Sequence, residues 1–146
     1  GDLDGDGKND LVTANLRGQN LTLLWNQGAS LQAKTLDVAM ACEATALLDV
    51  DLDGDLDIAY AGEEQRQFVA GVFRNDGQRT WLDTPRTPVG LPALLLAAAA
   101  LDLSGFPDLI AAGFSPPEGL AVAWNEGAGS FSAAVAIGGR RRPCVG

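Results

Sequence analysis

The feature that most constrains this chain is an internal repeat, in which two short motifs recur three times in the same order. One motif is an apolar stretch that ends in Asn-x-Gly, at Asn26, Asn75 and Asn125. The other is an aspartate that opens a short apolar stretch, at Asp10, Asp57 and Asp108. The asparagines lie 49 and 50 residues apart and the aspartates 47 and 51. Two unrelated motifs that keep one period indicate a repeat architecture.

Each repeat is predicted to contain four short β-strands. Asn-x-Gly is a typical hairpin turn, and the bulky residue after it (Leu31, Trp81 or Phe131) opens the last strand of its unit. In the second unit the predicted strands span 44–48, 57–61, 68–74 and 80–84. The first unit lacks an opening strand, because the sequence begins inside a loop motif. Four antiparallel strands in 40–50 residues are typical of a β-propeller blade.

We therefore predict an all-β chain, a partial β-propeller of three four-stranded antiparallel blades with the first blade incomplete. The repeat domain covers 1–138, with repeats at about 1–40, 41–90 and 91–138, and 139–146 is a tail or the start of a further segment. Leu23, Val72 and Val122 occupy matching positions and are expected to be buried. The Leu/Ala-rich stretch 94–101 favours a helix by propensity, but the repeat predicts a strand at 97–101.

The acidic residues point to metal loops ahead of the aspartate motifs. Asp2, Asp4, Asp6 and Asp10 stand at positions 1, 3, 5 and 9 of a nine-residue loop, with the Lys8 carbonyl at position 7. A second loop repeats this pattern with four aspartates and the carbonyl of a fifth, namely Asp49, Asp51, Asp53, Asp57 and Asp55. Alternate carboxylates converge when the chain curls, and hard oxygen ligands suit Ca²⁺. The stretch Asp102–Asp108 is interpreted as a loop two residues shorter, with weak or no calcium binding.

Several other classes of protein are disfavoured. An EF-hand needs a Glu at position 12 of the loop, where this chain has Thr13 and Tyr60. With two cysteines and no histidine, a Cys/His zinc site is excluded. The net charge of -9 repels nucleic acid and anionic membranes. The longest apolar run, 91–101, is too short for membrane insertion.

These motifs resemble the FG-GAP/VCBS repeat family, the blades of integrin-α-like propellers. The stretches 1–12 and 49–58 are similar to its calcium loop, and 75–81 is similar to its Asn-x-Gly-x-x-aromatic turn. The resemblance implies calcium-stiffened propellers on extracellular, cell-surface or periplasmic proteins, in which loops on one face bind a protein or carbohydrate ligand and further blades lie alongside. The resemblance implies no catalytic residue in this chain.

The function expected from these observations is a calcium-binding scaffold or adhesion module, and not an enzyme. One alternative is a lectin that uses Trp25, Trp81 or Trp124 as sugar platforms, although their recurrence in the repeat favours a core role. Another is a non-catalytic fragment of a propeller enzyme that degrades polysaccharides. The pair Glu63–Glu64 is a candidate acid/base pair, but neighbouring residues at a strand end point apart, which favours a solvated turn.

Overall fold

The structure is a computed structural model that describes residues 1–113, 119–127 and 129–137. Within these stretches the chain forms twelve β-strands and no helix. The strands are β1 Leu11–Asn15, β2 Asn20–Asn26, β3 Leu31–Asp37, β4 Ala41–Leu48, β5 Asp57–Glu64, β6 Gln67–Asn75, β7 Trp81–Asp83, β8 Thr87–Pro88, β9 Leu95–Ala99, β10 Asp108–Ala112, β11 Leu120–Ala123 and β12 Val135–Ala136. Nowhere in the described part is there a helix long and apolar enough to cross a membrane.

The strands form three antiparallel sheets that follow the chain order. Sheet A contains β1-β2-β3, and sheet C contains β9-β10-β11-β12. Sheet B contains β4-β5-β6-β7, and the short strand β8 also pairs with β6 beyond the end of β7. The prediction of an all-β chain with three antiparallel sheets and an incomplete first unit is confirmed, and β8 is an addition to it.

The strand expected from the repeat in the Leu/Ala-rich stretch is present. It spans Leu95–Ala99, two residues earlier than predicted, and pairs with β10 over its whole length. Pairing with a neighbouring strand overrides the helical propensity of Leu and Ala, because sheet formation satisfies the backbone of five residues together. The residues after 137, including the three arginines at 140–142, lie outside the described part of the chain.

The core is built in two layers, one on each face of sheet B. Between sheets A and B lie alternate residues of β2, such as Leu21 and Leu23, against Ile58, Tyr60 and Phe73. Between sheets B and C lie small and branched residues of both sheets, among them Ala59, Ala61, Val72, Leu109 and Ala111. Residues 57–62 of β5 are buried without alternation, because sheet B is covered on both faces. Leu23, Val72 and Val122 are all buried, as predicted.

Each acidic loop directly precedes the equivalent strand of its sheet. The first loop, 1–9, leads into β1, the second, 49–56, joins β4 to β5, and the third, 100–107, joins β9 to β10. Position 9 of each loop is the aspartate at or next to the start of that strand. The three loops are therefore related by the repeat.

Candidate metal sites

The aspartate at position 9 is a buried clamp in all three loops. One carboxylate oxygen of Asp57 accepts the Val50 N–H at 2.6 Å, and the other accepts the Asn75 N–H at 2.7 Å. Asp10 and Asp108 make the same pair of contacts, with N–H groups seven residues upstream and at the Asn-x-Gly motif. Each clamp ties a loop to the turn of the same sheet. The three carboxylates can be buried because backbone N–H groups donate to both oxygens of each one.

The asparagine of each Asn-x-Gly motif is a second clamp. Its Oδ1 accepts the N–H of the glycine two residues later, which closes the turn. Its Nδ2 donates to the carbonyl of loop position 8, at Asn9, Leu56 and Pro107 respectively. Asn75 Nδ2 also donates to the Leu3 carbonyl at 2.8 Å, and Asn125 Nδ2 donates to the Val50 carbonyl at 2.8 Å. Each of these two asparagines therefore joins its own sheet to the loop of the preceding sheet.

The first loop brings three carboxylates together. Asp2, Asp4 and Asp10 each offer an oxygen within 4.8 Å of the others. The Asp2 carboxylate also accepts the Gly5 and Gly7 N–H groups, both at 2.9 Å, which holds the curl of the loop. Gly7 has a φ of 83°, so a residue without a Cβ suits this position.

The Asp6 carboxylate of the first loop is hydrogen-bonded to Lys8. The Asp6 carboxylate accepts from Lys8 Nζ at 2.6 Å and from the Lys8 N–H at 2.9 Å. The hydrogen bond from Lys8 lowers the pKa of Asp6. Asp6 does not belong to the three-carboxylate cluster, and ligation by Asp6 or by the Lys8 carbonyl stays a prediction.

The second loop has the same arrangement. Asp49, Asp51 and Asp57 each place an oxygen within 4.8 Å of the others, and the Asp49 carboxylate accepts the Asp53 and Gly54 N–H groups at 3.1 and 3.0 Å. Asp53 accepts the Asp55 N–H at 3.0 Å and lies outside this cluster. Ligation by Asp53 and by the Asp55 carbonyl likewise stays a prediction.

The electrostatics of the second loop favour a bound cation. Burial raises the pKa of Asp57 to about 6, two backbone hydrogen bonds oppose the shift, and the charges of Asp51 and Asp53 add to it. Asp51 Oδ1 is buried, and no described residue supplies it with a hydrogen-bond partner. A buried carboxylate oxygen with no donor, next to two further carboxylates, is a fitting ligand for a hard cation.

An arginine of sheet B pairs with position 3 of each of these two loops, in one case in the preceding sheet and in the other in its own sheet. Arg79, in the turn of sheet B, pairs with Asp4 of the first loop and lies 4.7 Å from the centre of the Trp25 ring. Arg74, on β6, pairs with Asp51 of the second loop in its own sheet. The register of the hairpins places Arg74 at the position of Trp25. Neither arginine is predicted from the sequence, because the two do not recur at one repeat position.

The third loop has the same length as the other two, so its interpretation as a shortened loop is wrong. The Asp108 clamp bonds the Leu101 N–H, and Ala99 pairs with Asp108 as Leu48 pairs with Asp57. Position 1 is therefore Ala100, and Asp102 stands at position 3. Ser104 replaces the position-5 aspartate. The expectation of weak or no binding at this loop now rests on these two replacements.

Residues 2–60 match the family described as the FG-GAP-like repeat. This stretch contains the first loop, sheet A, the second loop and the start of β5, and the resemblance inferred from the sequence is confirmed there. No curated protein and no solved structure matches the chain.

Proposed function

Because residues 2–60 are an FG-GAP-like repeat segment, we propose that the chain is a calcium-binding β-propeller repeat module. It serves as an extracellular binding or structural scaffold and is not an enzyme. The observation that carries this proposal is the pair of three-carboxylate clusters at equivalent places in two successive repeats. Their spacing and donor chemistry support calcium above other divalent ions.

The aspartates of the two loops are suitable ligands for Ca²⁺. Asp2, Asp4 and Asp10 would hold it in the first loop, and the equivalent residues Asp49, Asp51 and Asp57 would hold it in the second. Calcium would supply positive charge and oxygen coordination without redox chemistry. Two bound ions would change the formal charge from -9 to -5. The role of the chain is to hold each loop in shape through its backbone donors, so that a bound ion stiffens the contact between successive sheets.

The propeller arrangement is supported by how the sheets follow one another. Sheet A packs on sheet B and sheet B packs on sheet C, and the position-2 carbonyls of the first two loops, Leu3 and Val50, accept a hydrogen bond from the asparagine of the following sheet. We propose further blades of the same kind as neighbours in a larger propeller. An extracellular, cell-surface or periplasmic setting would supply the millimolar calcium that such loops require. A protein or carbohydrate ligand would bind at exposed loops.

The surroundings of Trp25 favour a structural role over a role as a sugar platform. Trp25 is buried between sheets A and B, and its ring centre lies 6.4 Å from that of Trp81. The guanidinium of Arg79 covers the Trp25 ring. A sugar needs an exposed aromatic face, and this face is already in contact with the neighbouring sheet.

Isothermal calorimetry with single-loop variants tests the proposal. The wild-type chain is expected to bind two calcium ions, and Asp4→Ala and Asp51→Ala are each expected to bind one. Asp102→Ala removes the position-3 aspartate of the third loop and is the matched control, with two ions expected. A wild-type chain that binds no calcium at millimolar concentration would contradict the proposal.

A further inference from the structure

Each of the first two loops has a positive charge of its own at position 3. The side chains of Asp4 and Asp51 are only 5% and 10% exposed, and each pairs with one arginine of sheet B. The three clustered carboxylates of a loop carry a formal charge of -3, and one arginine reduces it to -2. Without a cation, carboxylates this close and this buried repel one another and oppose the folded loop. The arginine is therefore placed as the counter-ion of the metal-free loop.

The arginine of the first loop comes from the following sheet and lies over an aromatic ring. Arg79 is the fourth residue after Asn75, and its guanidinium lies 4.7 Å from the centre of the Trp25 ring. Its backbone has a φ of 62°, in the left-handed region that is unfavourable for a residue with a side chain. Sheet B therefore holds an arginine at a strained turn position, from which it reaches Asp4.

The arginine of the second loop occupies the other half of the same arrangement. Arg74 stands at the position of Trp25, directly before the asparagine of its own sheet. Gly129 of sheet C stands at the position of Arg79 and has a similar φ of 75°. A Cβ at Gly129 would lie 3.3 Å from Arg74 Cδ, so the glycine leaves room for the arginine stem. The first loop thus combines a tryptophan with an arginine, and the second loop combines an arginine with a glycine.

The surroundings of Arg74 favour a role for its charge. Among the described residues Arg74 Nε is buried without a hydrogen-bond partner, and the guanidinium pairs with Asp51. A buried donor left unpaired costs stability, so the pair with Asp51 is what holds the guanidinium at the loop. Both loops therefore receive one arginine at position 3, although the two arginines stand at different positions of the repeat.

We propose that this arginine is a built-in competitor of calcium, which neutralises the position-3 aspartate of the empty loop and sets the affinity of the loop for the ion. This inference rests on the calcium binding proposed above. A guanidinium and a calcium ion beside the same carboxylate repel each other, so each weakens the binding of the other. The arginine can be delivered from either of two positions, namely the residue before the asparagine of the same sheet or the fourth residue after the asparagine of the following sheet.

Calorimetric titration of calcium into a chain with one intact site tests the proposal. Asp4→Ala disables the first loop, so the remaining binding reports on the second loop. In this parent chain Arg74→Met is expected to tighten calcium binding at least about tenfold and to lower the urea midpoint in chelator. Arg66→Met makes the same change in the exposed β5–β6 turn and is the matched control, which should alter neither value. Unchanged or weaker calcium binding by an Arg74→Met chain that is folded by circular dichroism would overturn the proposal.

Moving the arginine to the other position is the sharper test. Arg74→Trp is expected to tighten calcium binding as Arg74→Met does, and adding Gly129→Arg rebuilds the arrangement of the first loop. The double variant is expected to return to within about threefold of the parent affinity and to regain the urea midpoint in chelator. A folded double variant that keeps the tight binding of Arg74→Trp would refute delivery from position 129. A parent chain that binds no calcium contradicts the proposed function, and the urea midpoints in chelator then still decide whether the arginine is the counter-ion of Asp51.

Discussion

Replacing Arg79 by methionine isolates the charge that sheet B contributes to the first loop. The guanidinium pairs with Asp4, whose side chain is only 5% exposed, while the Arg79 side chain is 44% exposed. Asp4 also lies within 4.8 Å of the Asp2 and Asp10 oxygens. Without Arg79 and without metal, three nearby carboxylates repel one another and the Asp4 charge is buried without a partner.

The expected loss of stability follows from these exposures. Breaking a fully buried ion pair costs about 3–5 kcal/mol, and an exposed pair is worth about 0–1 kcal/mol. Because one partner is buried and the other is half exposed, we expect Arg79→Met to lower the free energy of unfolding by about 2 kcal/mol in chelator. Methionine keeps part of the contact with Trp25, so most of this loss is electrostatic. Arg17→Met, at an exposed arginine in the β1–β2 turn, is the control and should change stability by less than about 0.5 kcal/mol.

Calcium is expected to reduce the loss of stability in Arg79→Met, because the bound ion replaces the missing positive charge. If binding recovers about 1.4 kcal/mol of the 2 kcal/mol, calcium affinity at the first loop is about tenfold tighter in Arg79→Met than in wild type. Urea denaturation in calcium and in chelator, with calorimetry for the affinity, measures both effects. A loss that is equal in the two conditions, with unchanged affinity, would show that Arg79 acts through its packing on Trp25 alone.

Three further changes test the packing around the site. Asn75→Ala is expected to cost about 1–2 kcal/mol more in urea denaturation than Asn26→Ala, because only Asn75 bonds the buried Leu3 carbonyl of the preceding sheet; equal costs would refute the role of that bond. Gly71→Ala would place a Cβ 2.5 Å from the Tyr60 hydroxyl oxygen, so a loss of at least about 2 kcal/mol is expected, and a neutral change would contradict this packing. Burial raises the pKa of the Cys42 thiol to about 11. In a Cys144→Ser chain, a thiol reagent should therefore label Cys42 only when the chain unfolds. Rapid labelling of the native chain would contradict the burial of Cys42.

The repeat could be predicted from the sequence because its two motifs carry backbone hydrogen bonds. Asp57 and Asn75 satisfy main-chain groups in fixed places, so their spacing recurs with the strands and reveals the sheets. The strand Leu95–Ala99 followed from that spacing even though its composition suggests a helix. Motifs that bind backbone groups are therefore good markers of register in this chain.

The third loop and the arginines could not be predicted in the same way. If the third loop is taken to begin at its first acidic residue, Asp102 is assigned to position 1. The true position 1, Ala100, is the last of four consecutive alanines and has no feature that marks it as part of the loop. Only the strand pairing and the Asp108 clamp show that the loop has its full length. Arg79 and Arg74 both lie in sheet B, but Arg79 pairs with the loop of the preceding sheet and Arg74 with the loop of its own sheet, so no sequence period reveals them.

The central claim, that calcium binds the folded loops, is tested most directly by the melting temperature of the chain in calcium and in chelator. Binding to the folded state alone adds about 1.4 kcal/mol per site at ten times the dissociation constant. Two sites would then raise the melting temperature by several degrees, roughly 2–4 °C per kcal/mol for a chain of this size. We expect calcium to produce this increase, chelator to reverse it, and magnesium at equal concentration to do much less. A melting temperature that is the same in calcium and in chelator would contradict the account.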